Sequence, residues 1–128
     1  MPLSMSNNDL EVARNFDQVK FDLIVEFSEG QLHDQVTSAI EGGVTGCWAL
    51  VNVGPHQPGW RNYFTAEFTD VEDKNRKHKL SIDKLKRGLL VLREKYPRHF
   101  ADIITESGDA ETGDALVQCA LFGDIVYG

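Results

Sequence analysis

Two hydrophobic periodicities follow one another along this chain, and their order restricts the architectures open to it. Val19, Phe21, Leu23, Val25 and Phe27 alternate with Lys20, Asp22 and Glu26, the period-two pattern of a half-buried strand. At Ser28 the period changes. Ser28 and Gln31 have capping-box spacing, and Leu32, Val36, Ala39 and Ile40 recur at helical intervals until Gly42 and Gly43 supply a stop. Residues 45–53 are short, apolar and rich in strand formers, which predicts a central strand. Residues 54–59 read as a loop, residues 60–69 alternate again, residues 70–75 make a polar turn and residues 76–80 a partner strand.

Beyond residue 80 the helical period takes over. Ser81 caps a helix whose Ile82, Leu85, Leu89, Leu92 and Tyr96 are spaced 3-4-3-4, and Pro97 ends it or opens the next turn. Residues 98–106 form a short helix around Phe100, Ile103 and Ile104. Asp109 or Thr112 caps a last helix carrying Leu116, Val117, Ala120 and Leu121, closed by Gly123 and followed by the apolar tail Ile125, Val126 and Tyr127. The order β-α-β-β-β followed by helices predicts one α+β domain over residues 19–128. Its sheet is antiparallel with about four strands, and its C-terminal half is helical. Residues 1–18 read as a flexible or weakly ordered N-terminal segment.

Charge is unevenly placed. Of 128 residues, 13 are Lys or Arg and 20 are Asp or Glu, a net charge of −7. Ten of the basic residues lie between Lys74 and Arg98, where only Asp83 and Glu94 are acidic, so that window carries +8 and the remainder −15. Lys74, Arg76, Lys77, Lys79, Lys84 and Arg87 are the candidate cationic surface. An ordinary solvated helix face explains much of it. Nucleic-acid contact through residues 74–98 and docking on an acidic partner, including a second copy of this chain, are the functional alternatives. Aromatic side chains that would stack bases are missing from the window, since Tyr96 lies on the apolar face.

The longest dense apolar run, residues 21–27, is broken by Asp22 and Glu26 and falls far short of the ~20 residues that span a bilayer. Residues 1–8 lack the basic and apolar regions of a signal peptide. Cys47 and Cys119 each sit in an apolar stretch and are expected to be reduced core thiols. A cytoplasmic protein that makes no membrane contact is the expectation.

Motifs for chemistry are sparse. His33, His56, His78 and His99 lie in four segments without zinc-site spacing, and no phosphate-loop, dinucleotide or nucleophile-elbow pattern occurs. His33 and His56 read as surface residues. Residues 42–46 are glycine-rich but leave a helix and enter a strand, the reverse of a phosphate cradle. Asp109 and Glu111 suit a helix N-terminus. Asp114, with a distant carboxylate such as Glu41, is the candidate for acid–base or cation chemistry. Trp48 reads as core. Trp60, with Tyr63 close by, carries the residue types enriched at binding hot spots.

The stretch from Asp109 through Asp114 and Gln118 to Phe122, Asp124, Tyr127 and Gly128 resembles the C-terminus of small proteins encoded by bacteriophages and related mobile elements. Thr37, Ala39, Glu41, Gly42 and Gly43 followed by Trp48 resemble another segment of that family, as do Leu80, Lys84 and Gly88. The resemblance runs in order over residues 19–128. It departs at Cys47, where tyrosine is commoner, at Gly113, where alanine is usual, and at Asp124, which replaces glutamate. It implies action inside a bacterial host cell and directs attention to Glu41, Trp48, Asp114, Gln118 and Asp124.

The resulting expectation is a non-enzymatic accessory protein. It needs no cofactor, metal or catalytic residue, and binds a host or phage macromolecule, most simply a protein, through an acidic surface such as a DNA mimic presents. The alternative is a small metal-assisted enzyme or ligand-binding protein using Glu41, Asp114 and Asp124. Opposed charges on one small chain also favour self-association.

Overall fold

The structure, a computed structural model, describes residues 24–53 and 63–128. Helix α1 spans Glu29–Glu41, and the predicted capping box is formed: the Ser28 side chain accepts from the Gln31 N–H and the Gln31 side chain accepts from the Ser28 N–H. A 3-10 turn at Thr45–Cys47 leads into strand β1, Ala49–Asn52. A second 3-10 turn, Tyr63–Thr65, leads into β2, Glu67–Asp70, and β3 is Lys77–Lys79. Helices α2 (Ile82–Lys95), α3 (Pro97–Ile104) and α4 (Ala110–Phe122) complete the chain. This is the α+β arrangement that the periodicities predict.

The sheet is antiparallel in the order β1-β2-β3, with Val51 opposite Phe68 and Phe68 opposite His78. It has three strands among the described residues rather than four. Of the predicted first strand, residues 19–23 lie outside the described residues. Residues 24–27 form no strand, and Ile24 is 93% exposed. Alternation alone makes no strand without a neighbour to pair with; Phe27 instead packs edge-on against Phe100, with centroids 5.8 Å apart. The strand expected at 45–53 is shorter and, among the described residues, pairs with β2 alone, so β2 takes the central position. The 1–18 segment also lies outside the described residues.

The turn between β2 and β3 is held by side chains suited to it. Asp73 Oδ1 accepts from the Asn75 N–H at 3.0 Å, Asp70 Oδ1 accepts from the Glu72 N–H at 2.8 Å, and Asp70 and Arg76 close the loop through their backbones.

The core lies between the inner face of the sheet and the helices, and α4 runs through it. Residues 112–120 of α4 are all buried, with α1 and α2 packed on either side. A helix enclosed in this way shows little amphipathic pattern. α2 keeps the predicted one-sided stripe, burying Leu85, Gly88, Leu89 and Leu92 while its charges face out. Full burial of side chains such as Leu85, Leu92 and Leu116 contributes about 1.5–3 kcal/mol each. α1 and α4 approach closely at Gly113, where a Cβ would come within 2.1 Å of the Gln35 carbonyl oxygen.

Candidate functional site

Helix α4 supplies the centre of the site. Asp109 caps it, its side chain accepting from the Thr112 N–H at 3.0 Å; this bond holds the Asp109 carboxyl below its ordinary pKa. One turn further on, Asp114 and Gln118 stand at i and i+4 on one helix face. Both are buried, and Gln118 Nε2 donates to Asp114 Oδ2 at 2.7 Å. Asp114 Oδ1 accepts from the Thr45 hydroxyl at 2.7 Å and from the Trp48 indole N–H at 2.9 Å. The 3-10 turn, the start of β1 and α4 are thereby fastened to one carboxylate.

Gln118 also fixes the tail. Gly123 adopts φ +74, a left-handed conformation that reverses the chain after α4. Gln118 Oε1 then accepts from the N–H groups of Val126 and Tyr127, both at 2.8 Å, while Nε2 donates to the Tyr127 carbonyl at 3.0 Å. The Tyr127 ring stacks on Trp48, whose other neighbours are Phe68 and Phe122. The Tyr127 hydroxyl donates to Asp70 Oδ2 at 2.6 Å, which holds the Asp70 carboxyl below its ordinary pKa and the Tyr127 phenol above its own.

Beside this hub lies a groove of about 760 Å³. Gly42, Gly43, Val44 and Cys47 form one wall, Val126, Tyr127 and Gly128 another, and Trp48 and Asp114 reach it from the core. Glu111, in the first turn of α4, stands at the rim, exposed and without an ion pair among the described residues. Cys47 is exposed there too, which corrects the expectation of a core thiol: the 3-10 turn replaces strand geometry at this point and points the side chain outward. Cys119 is buried as expected, and burial pushes its thiol up to about 11. Both cysteines are free.

The other candidates lie apart from the hub. Glu41 Oε1 accepts from the buried Tyr63 hydroxyl at 2.8 Å. Asp124 accepts from the Tyr96 hydroxyl, from the Ile125 N–H at 2.8 Å and from Lys95 at 3.2 Å, contacts that hold its carboxyl below the ordinary value and raise Tyr96. Glu41, Asp114 and Asp124 thus have separate partners, and among the described residues no group of three or more His, Cys, Asp or Glu side chains is placed to hold a metal ion. Trp60 and His56 lie outside the described residues. His33 is half-buried between Tyr63 and Phe64 rather than a plain surface residue. Lys74, Arg76, Lys77, Lys79 and Arg87 are exposed, and Lys84 is half-buried with its ammonium donating to the Lys79 carbonyl.

Thr45, Tyr127 and the groove position of Glu111 are not evident from the sequence. The i, i+4 spacing of Asp114 and Gln118 is a readable sign of the hub, and the resemblance marks Trp48 beside them. Among the described residues no helix is long and apolar enough to cross a membrane. Compared with protein-family models, with curated proteins and with solved structures, the chain finds no match.

Proposed function

We propose that the chain is a non-enzymatic accessory protein of a bacteriophage or mobile element, working in the bacterial cytoplasm, and that its groove receives a basic side chain of a protein partner. One observation carries this reading: a fixed, hydrogen-bonded wall of Asp114, Trp48 and Tyr127 lies beneath an exposed carboxylate, Glu111, that no cation of the described residues occupies. Its volume lies within the roughly 300–1,000 Å³ typical of ligand sites. Val44 and Val126 offer apolar surface to the methylene stem of a lysine or arginine, and Glu111 meets its charged head. Asp114 already accepts three hydrogen bonds from its own chain, so it serves as a wall rather than as a base.

Calorimetric titration with short peptides presenting arginine or lysine among apolar residues tests this. The basic peptides should bind more tightly than their norleucine analogues, and Glu111→Gln should weaken their binding about two- to fivefold, the range for an exposed ion pair. Equal binding of the neutral analogues, or indifference to Glu111→Gln, would contradict the reading.

A further inference from the structure

The cations of residues 74–98 are left largely uncompensated. Among the described residues only Arg93 and Lys95 pair with a carboxylate, the first with its neighbour Glu94 and the second with Asp124. Lys74, Arg76, Lys77, Lys79, Lys84, Lys86, Arg87 and Arg98 have no ion pair there. The chain has carboxylates in excess, and interspersing the two signs is the simpler route to a well-solvated surface. Glu67 stands opposite Lys79 and Asp70 feels the charge of Arg76, so the face is cation-rich rather than of one sign, and that excess is the feature to be accounted for.

Its strand and helix parts meet where the first turn of α2 reaches the edge strand β3. Lys77 and Lys79 project from the same side of β3, two residues apart, opposite Thr69 and Glu67. Lys84 reaches back from the first turn of α2 to the Lys79 carbonyl. Arg87 follows Lys84 at i+3 on the same flank of the helix and borders a depression of about 300 Å³ beside Phe122. His78 projects from the other side of β3, packed edge-on against Phe122; burial first, then Arg76 and Lys84, hold it below its ordinary pKa, with Asp70 opposing them. Lys86, by contrast, lies about 200° around the helix from Lys84, on the opposite flank.

We infer that the face formed by Lys74, Arg76, Lys77, Lys79, Lys84 and Arg87 binds the phosphate backbone of a nucleic acid without reading its sequence. A helix of 14 residues is about 21 Å long. A duplex presents a negative charge per roughly 1.7 Å of axis, so the cations at the start of α2 and on the adjoining strand find many equivalent partners at once. The six cations are divided among a turn, a strand and a helix flank rather than aligned on one helix that could fill a groove, so affinity rests on charge. The surface is distinct from the Glu111 groove and does not depend on the function proposed there.

The test is fluorescence anisotropy with a 30-base-pair duplex of random sequence between 50 and 200 mM salt, with polyglutamate as the competing probe. Binding should weaken at least tenfold over that range. The triple variant Lys77→Gln, Lys79→Gln, Arg87→Gln should lower the slope of log affinity against log salt by about two to three. Lys86→Gln, on the opposite flank, should leave affinity within twofold, and melting temperatures should show both variants folded. Absence of binding at 50 mM salt, a loss in Lys86→Gln equal to that in the triple variant, or polyglutamate binding as tight as duplex binding would overturn the inference.

Discussion

Trp48 and Tyr127 lie face to face, with ring centroids 4.9 Å apart and planes 3° from parallel. Offset stacking of two aromatic rings contributes about 0.5–1.5 kcal/mol beyond the area it buries. Here it also joins the residue that precedes β1 to a short tail with no secondary structure of its own. Three further bonds to Gln118 and one to Asp70 hold that tail, so the groove wall is built from residues far apart in sequence.

Gln118→Ala should release this wall. It leaves the N–H groups of Val126 and Tyr127 and one oxygen of Asp114 without their partners. Loss of these bonds, one to the buried Asp114 and two to half-buried backbone, should cost about 1–3 kcal/mol in total, read by denaturant unfolding. Amide exchange should accelerate at Val126 and Tyr127 well before it does in α2.

Gly113→Ala should destabilise although alanine is the better helix former. The propensity gain is about 1 kcal/mol, whereas the new Cβ would stand 2.1 Å from the backbone oxygen of Gln35 and force α1 and α4 apart. Overpacking of a helix contact costs about 1–3 kcal/mol or more, so the net effect should be a lower melting temperature. An unchanged or raised value would show that α1 shifts at little cost.

That glycine illustrates what was legible. The caps at Ser28, Ser81 and Asp109, the stripe on α2 and the β2–β3 hairpin follow from local rules, and local rules are what a sequence displays. The position of α4 at the centre of the core, the close approach at Gly113 and the outward turn of Cys47 arise from packing between distant segments. Alternation at 24–27 misled because a strand needs a partner as well as a pattern. Within the site, Asp114 and Gln118 could be paired by spacing, but Thr45, Trp48 and Tyr127 join them only through the tertiary fold.

Stability should fall at both ends of the pH range. Asp70, Asp109 and Asp124 are held below the ordinary carboxylate value of 3.8. Their stabilisation is therefore full above about that pH, and is lost as the pH falls through the lower folded values. Tyr96 and Tyr127 are held above the ordinary 10 because each donates to a carboxylate. Their contribution is full below 10 and is lost as the pH rises through it toward the folded values. Tyr127→Phe should shorten both limbs of a melting-temperature profile, by removing the bond that depresses Asp70 and the phenol that titrates late.

The two thiols should react at separate rates. A thiol reagent at pH 8 should modify Cys47 rapidly in the folded protein. Cys119, buried and with its pKa at about 11, presents only about one thiolate in a thousand at that pH. It should react only on unfolding. A peptide seated in the groove should slow the reaction of Cys47 and leave that of Cys119 unchanged.

The most direct test of the groove as a binding site is a two-dimensional NMR titration of the ¹⁵N-labelled protein with an arginine-containing peptide. The account predicts shifts concentrated at Gly43, Val44, Glu111, Tyr127 and the Trp48 indole N–H, and a peptide concentration about two- to fivefold higher to reach them in Glu111→Gln. Shifts confined to other surfaces, or an unchanged titration midpoint in Glu111→Gln, would contradict it.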